Sequence, residues 1–200
     1  MFPRLSAAVD LFGQIDLSRV RQARGDAGRK QADAAAGAAL MDSVLLVERT
    51  GTARRPLVQR WVEAELEHAV VHWRRHCRGD ARVKKDTEVG DQEIASANLV
   101  LFGDPQSNRL LARLSEKLPL QWSEDGIQVG KRRFDASHHA PILIYPNPLN
   151  PRRYVVLNSG FTFREYDYLD NARQVPKLHD WAIVELKPPG NSPLPGRAGA

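Results

Sequence analysis

A chain of 200 residues, 42% hydrophobic and 26% charged, suits one soluble globular domain with some tail to spare. No run approaches the roughly 18 apolar residues a spanning helix needs, and Asp10 and Asp16 interrupt the N-terminal stretch, which excludes a membrane anchor or secretory signal on this reading and leaves the cytoplasm as default compartment. The net charge of +5 does not point to nucleic acid, because residues 1–60 hold ten Lys and Arg against six Asp and Glu, while the rest of the chain holds 19 against 18.

Residues 1–38 are rich in Ala, Arg, Gly and Asp and carry no sustained amphipathic period, so they read as a disordered or frayed leader. The folded unit is expected over 40–187, followed by a Pro/Gly tail at 188–200. "SVLLVERTG" (43–51) is a short apolar run closed by a turn, hence a buried strand. In "PLVQRWVEAELEHAVVHWRRHCRG" (56–79), Val62, Leu66, Ala69, Val70, Trp73 and Cys77 form one helical stripe, and Gly79 is placed to cap it. "NLVLFG" (98–103) is a second buried strand. "DPQSNRLLARLSEKL" (104–118) is a second helix, with Asp104 as N-cap, Pro105 at its first position, and Leu110, Leu111, Leu114 and Leu118 inward.

Beyond 118 the period changes. "LQWSEDGIQVGKRRF" reads as a small meander turning at Asp125-Gly126 and Gly130. "APILIYP" and "RYVVLNSG" are further strands, "FREYDYLDNARQVP" is helical or turn-rich, and "DWAIVEL" (180–186) is the last strand. The order predicts an α/β fold: a three-layer domain with a mixed, partly parallel sheet, crossover helices and added antiparallel strands.

Candidate chemistry concentrates in the turn "LFGDPQSN". Ligands of open α/β sheets collect beyond the carboxyl ends of strands, and this turn lies there. It is no phosphate loop, since it lacks the glycines and the Gly-Lys-Ser/Thr ending, and Ser107 lacks the Gly-x-Ser-x-Gly frame of a nucleophile elbow. Asp104, Ser107, Asn108 and Asn147 are the candidate ligand-binding residues, with no catalytic set among them. Ser159 also fails the elbow frame, and His138 and His139 have no matching nucleophile nearby in sequence to serve as general bases. His68, His72 and His76 fall on one side of a helix, but the arginines at 74, 75 and 78 disfavour a cation there, so no metal and no cofactor is expected. Cys77 is the only cysteine, which rules out an intramolecular disulfide.

The loop "PNPLNPR" (146–152) is too short for a parallel crossover, so its flanking strands, if neighbours, run antiparallel. Asn147 and Asn158 then fall at opposite edges of the sheet. Only one of them can stand beside Asp104 and Ser107, and the direction of strand 141–145 decides which.

"NLVLFGDPQSNRLLARL", "ILIYPNPLNPRRYVVLNSGFTFREYDYL" and "NARQVPKLHDWAIVEL", with "MDSVLLVERTG" and "HAVVHWRRHCRGDARVKKDTEV", resemble the C-terminal part of large bacterial prolyl-oligopeptidase-like serine hydrolases, notably those of planctomycetes. The resemblance spans about residues 40–187. It implies kinship to exported or cytoplasmic peptidases and esterases whose nucleophile sits in a preceding α/β-hydrolase domain, and no family catalytic residue maps onto this chain. The expectation is a non-catalytic accessory domain, detached from a hydrolase catalytic domain that would be its partner. The alternatives are a small enzyme, or a module for a small ligand or peptide, using the polar loops at the sheet edge.

Overall fold

The computed structural model describes residues 43–160 and 181–186. The leader, the tail and the stretch 163–176 lie outside the described residues.

Nine strands and three α-helices follow in order: β1 (Val44–Glu48), α1 (Pro56–Cys77), β2 (Val83–Lys85), α2 (Asp91–Ser96), β3 (Asn98–Leu101), α3 (Arg109–Leu114), β4 (Gln121–Trp122), β5 (Ile127–Val129), β6 (Arg132–Phe134), β7 (His139–Asn147), β8 (Asn150–Leu157) and β9 (Trp181–Glu185), as counted among the described residues. Six strands form one sheet in the order β2-β1-β3-β8-β7-β9. β2, β1, β3 and β8 are mutually parallel, whereas β7 runs antiparallel to both β8 and β9. The fold is α/β with a mixed sheet, as the alternation of elements predicts.

The sheet is buried on both faces because its central strands are apolar at successive positions. Leu45, Val47, Leu99, Leu101, Val155 and Leu157 point into one core with Ile94 of α2 and Leu110, Leu111 and Leu114 of α3. Val44, Leu46, Val100, Phe102, Val156 and Val184 point into the other, against Val58, Trp61, Val62 and Ala69 of α1. Strands β4, β5 and β6 are the expected meander, but they form a separate antiparallel sheet that lays Ile127 and Val129 on the first core.

The register of α1 corrects the sequence reading. Its buried positions are Val58, Trp61, Val62, Glu65, Ala69 and His72, while Leu66, Val70 and Trp73 are half-buried and Cys77 is exposed. The stripe therefore admits two polar residues, which a count of apolar side chains alone rejects. Nor is Gly79 the left-handed cap. That conformation falls on Arg78 (φ 53°), whose N–H reaches the Arg74 carbonyl at 3.0 Å.

β2 and α2 carry too few apolar residues to announce themselves. β2 is a three-residue edge strand with two lysines. At α2, Gly90 donates its N–H to Glu93 Oε2 at 2.9 Å, one half of a capping box whose other half a glycine cannot supply.

Candidate functional site

Spatial order 2-1-3 makes the carboxyl ends of β1 and β3 the switch point of the sheet, because the chain leaves β1 toward β2 and then crosses back to β3 on its other side. The two loops there are residues 49–55 after β1 and 102–108 after β3. In many α/β proteins these loops part to admit a ligand. Here they are laced together. Gly51 N–H donates to the Ser107 carbonyl and Arg54 N–H to Asp104 Oδ2, both at 2.9 Å. A Cβ on Gly51 would lie 2.9 Å from the Ser107 carbonyl oxygen, so the absence of a side chain is what lets the backbones touch.

Within the second loop the polar residues serve one another. Asp104 Oδ1 accepts the Ser107 N–H at 2.8 Å, and the Asp104 N–H donates to Ser107 Oγ at 3.0 Å. Ser107 Oγ in turn donates to the Asp104 carbonyl at 3.3 Å. These bonds close residues 104–107 into a turn of their own, which delays the helix. Asn108, in extended conformation, is the true N-cap of α3: its Oδ1 accepts the N–H groups of Leu110 and Leu111 at 3.0 and 3.1 Å, and its Nδ2 donates to the Phe102 carbonyl at 3.0 Å. The assignment of Asp104 as N-cap and Pro105 as first helical residue is thus corrected, and α3 begins at Arg109.

The structure brings Asp104, Ser107 and Asn108 together and leaves Asn147 apart. β8 runs parallel to β3, so it is Asn158, just beyond the end of β8, that stands beside the loop. Its Oδ1 accepts the Gly103 N–H at 2.9 Å and its Nδ2 donates to the Pro141 carbonyl at 3.3 Å. Asn147 lies at the opposite edge, in the β7–β8 hairpin, where its Oδ1 accepts the Leu149 N–H at 2.9 Å. Asn150 ties the same hairpin to the end of α2 through the Ile94 carbonyl at 3.0 Å. Both hairpin asparagines are turn residues. Asn158 is signalled in the sequence only by strand direction.

The neighbouring histidines are engaged as well. His138 Nδ1 meets Asp135 Oδ2 at 2.9 Å, and His139 Nδ1 meets the Asp135 carbonyl at 2.8 Å. The hydrogen bond from His138, helped by the Ser137 N–H, holds the Asp135 carboxyl well below the usual carboxylate range. Ser159 is buried, with its Oγ directed to the Gly160 carbonyl at 3.3 Å. Among the described residues the hydroxyls of Ser107 and Ser159 are both directed to backbone groups. Among the described residues no three His, Cys, Asp or Glu side chains gather as a metal site would require, and no helix is long and apolar enough to cross a membrane.

Outside the laced loops a small cleft remains. It is lined by Arg54, Arg55, Val58, Asp104, Pro105, Gln106, Trp122, Ser123 and Ala136. Trp122 packs against both hydrophobic cores and so wraps the carboxyl edge of the sheet. Arg54 is pinned on the cleft rim by Gln106 Oε1 at 3.0 Å and Glu124 at 2.8 Å.

No known protein family, curated protein or solved structure matches this chain. The geometry of the edge must therefore speak for itself. It can hold backbone in place and present a small cleft, and among the described residues no serine hydroxyl there is hydrogen-bonded to a side-chain base.

Proposed function

We propose that this chain is a non-catalytic accessory α/β domain, of the kind that forms the C-terminal part of prolyl-oligopeptidase-like serine hydrolases, and that it acts by packing on a hydrolase catalytic domain or shaping access to it. One observation carries this reading. The polar side chains at the ligand-prone edge of the sheet are spent on the backbone: Asp104 on Ser107 and Arg54, Asn108 on the start of α3, and Asn158 on Gly103 and Pro141.

A nucleophile needs a reachable oxygen and a base to take its proton. Ser107 is 1% exposed, and its hydroxyl both accepts and donates within its own turn. Freeing it would dismantle the loop that starts α3. The same economy of groups suits a domain whose work is done by shape.

The experiment is hydrolysis by the pure chain of p-nitrophenyl esters and proline-containing peptides. No turnover above buffer is expected. Turnover that Ser107→Ala abolishes, in a variant that still unfolds cooperatively, would replace the accessory role with a catalytic one.

A further inference from the structure

The two edges of the sheet differ in what their polar side chains do. At the carboxyl edge they hold backbone, through Asp104, Asn108 and Asn158. The amino edge carries arginines instead. Parallel strands β2 and β8 both enter the sheet there, and the chain must return there after α1 to begin β2. Residues 74–82, from the end of α1 to the start of β2, and residues 150–153, which open β8, hold Arg74, Arg75, Arg78, Arg82, Arg152 and Arg153 against a single acid, Asp80. That surplus equals the net charge of +5 of the whole chain, so the remaining residues balance.

These guanidiniums do little for the domain itself. Arg78 and Arg152 are exposed, and their side chains bond to no described residue. Arg82 meets a neutral hydroxyl, Ser43 Oγ, at 2.9 Å. Arg74 lies 3.6 Å from Asp80, but the two side chains are 76% and 84% exposed, and water screens such a pair.

An arginine cluster attracts either a polyanion or a carboxylate-bearing protein surface, and the groups around it favour the second. Val71 and Val83 are the exposed large hydrophobics among the described residues. Val71 shares a helical face with Arg74, Arg75 and Arg78, three, four and seven residues on. Val83 is the register partner of Leu46, so its side chain lies on the face of the sheet that α1 covers. Exposed aliphatic groups beside arginines resemble a protein interface, and the planar guanidinium fork matches a carboxylate. Single-stranded nucleic acid would stack on exposed rings, whereas every described Phe, Tyr and Trp is at least half-buried.

We propose that the amino edge of the sheet is a docking surface for an acidic protein segment with apolar residues among its carboxylates. Arg78 and Arg152 receive the carboxylates, and Val83 receives the apolar side chains. The inference goes beyond the accessory role and does not depend on it, because binding is read without any hydrolase partner.

The test is a titration of the full chain against a fluorescein-labelled peptide of alternating glutamate and leucine, followed by anisotropy. Its counterparts carry glutamine for glutamate or serine for leucine. Duplex DNA and phosphatidylserine vesicles are the competing anions. Saturable binding of the glutamate–leucine peptide is expected, weakening as salt rises, with the glutamine peptide at least about tenfold weaker. Arg78→Glu combined with Arg152→Glu should weaken it by about tenfold or more at an unchanged unfolding midpoint. Arg60→Glu combined with Lys131→Glu makes the same charge change at exposed positions elsewhere and should weaken it less than about threefold. Val83→Ser should cost about threefold for the leucine peptide and nothing for the serine one. No saturable binding, equal loss in the two charge-reversed pairs, indifference to Val83→Ser, or tighter binding to DNA or vesicles than to the peptide overturns the proposal.

Discussion

Gly103 donates its backbone N–H to the side-chain oxygen of Asn158, 2.9 Å away and 55 residues on in sequence. This bond joins the ends of two neighbouring parallel strands. The other end of the same amide donates to Pro141 of β7, so one buried side chain ties three strands at the edge where a site would form. Asn158 also holds a left-handed backbone (φ 51°), which asparagine tolerates better than most residues.

Asn158→Ala should therefore destabilise by about 2–4 kcal/mol, from two lost buried hydrogen bonds and an unfavourable φ. Asn158→Gly separates the two causes, since glycine accepts the backbone and loses only the bonds. Urea unfolding measures both. If the glycine variant matches wild type, the amide bonds contribute nothing and the tie is incidental.

The loop after β3 makes a second prediction. Asn108→Ala removes the N-cap of α3 and the bond to the Phe102 carbonyl, and should cost about 2–3 kcal/mol. Asn108→Asp keeps the acceptor for Leu110 and Leu111 but loses the Phe102 donor and buries a charge, so it should not restore wild-type stability. Chemical denaturation ranks the three proteins. A variant with aspartate as stable as wild type would mean that only the cap matters.

This contrast marks how far the sequence could be read. Strands buried on both faces announce themselves as apolar runs, and β1, β3, β7, β8 and β9 all fall where such runs predict. β2, three residues with two lysines, and the six-residue α2 carry no comparable period. The polar residues were harder for a different reason. Asp104 meets Arg54, and Gly103 meets Asn158, across 50 and 55 residues of chain, and no local pattern encodes that pairing. Asn108 as cap was obscured because Asp104 and Ser107 close a turn that mimics a helix start. Asn147 and Asn158 part because the seven-residue loop between their strands forces β7 and β8 antiparallel, which sends them to opposite edges of the sheet.

Stability should also respond to acid through Glu93. Its carboxylate takes a hydrogen bond from Lys84 Nζ at 2.5 Å and another from the Gly90 N–H at 2.9 Å. In that order of weight these lower its pKa from 4.5 to about 2. The folded state thus binds this proton more weakly than the unfolded chain, so the stabilisation is fully present above pH 4.5 and is lost as pH falls toward 2. Glu93→Gln should flatten that part of the stability profile, and Lys84→Met should move the Glu93 carboxyl titration, followed by NMR, upward. An unchanged Glu93 titration in Lys84→Met would remove the lysine as its main cause.

Finally, the chain just past β8 depends on close approach to α1. A Cβ built on Gly160 would lie 2.6 Å from the Ala69 Cβ and 2.9 Å from its Cα, well inside contact distance. Ala69 is itself buried, in the stripe of α1 that faces the second core. Neither backbone can yield without shifting the helix or strand β8. Gly160→Ala should therefore destabilise by about 1–3 kcal/mol through overpacking. Ala69→Gly removes one of the clashing atoms, at about 1 kcal/mol for glycine inside a helix. In the double variant the new methyl enters the space the old one left. Its loss should thus fall short of the sum of the two single losses, a coupling that a double-mutant cycle measures directly. Strict additivity would mean that the two residues do not share that space and that the packing of Gly160 on α1 is looser than the geometry requires.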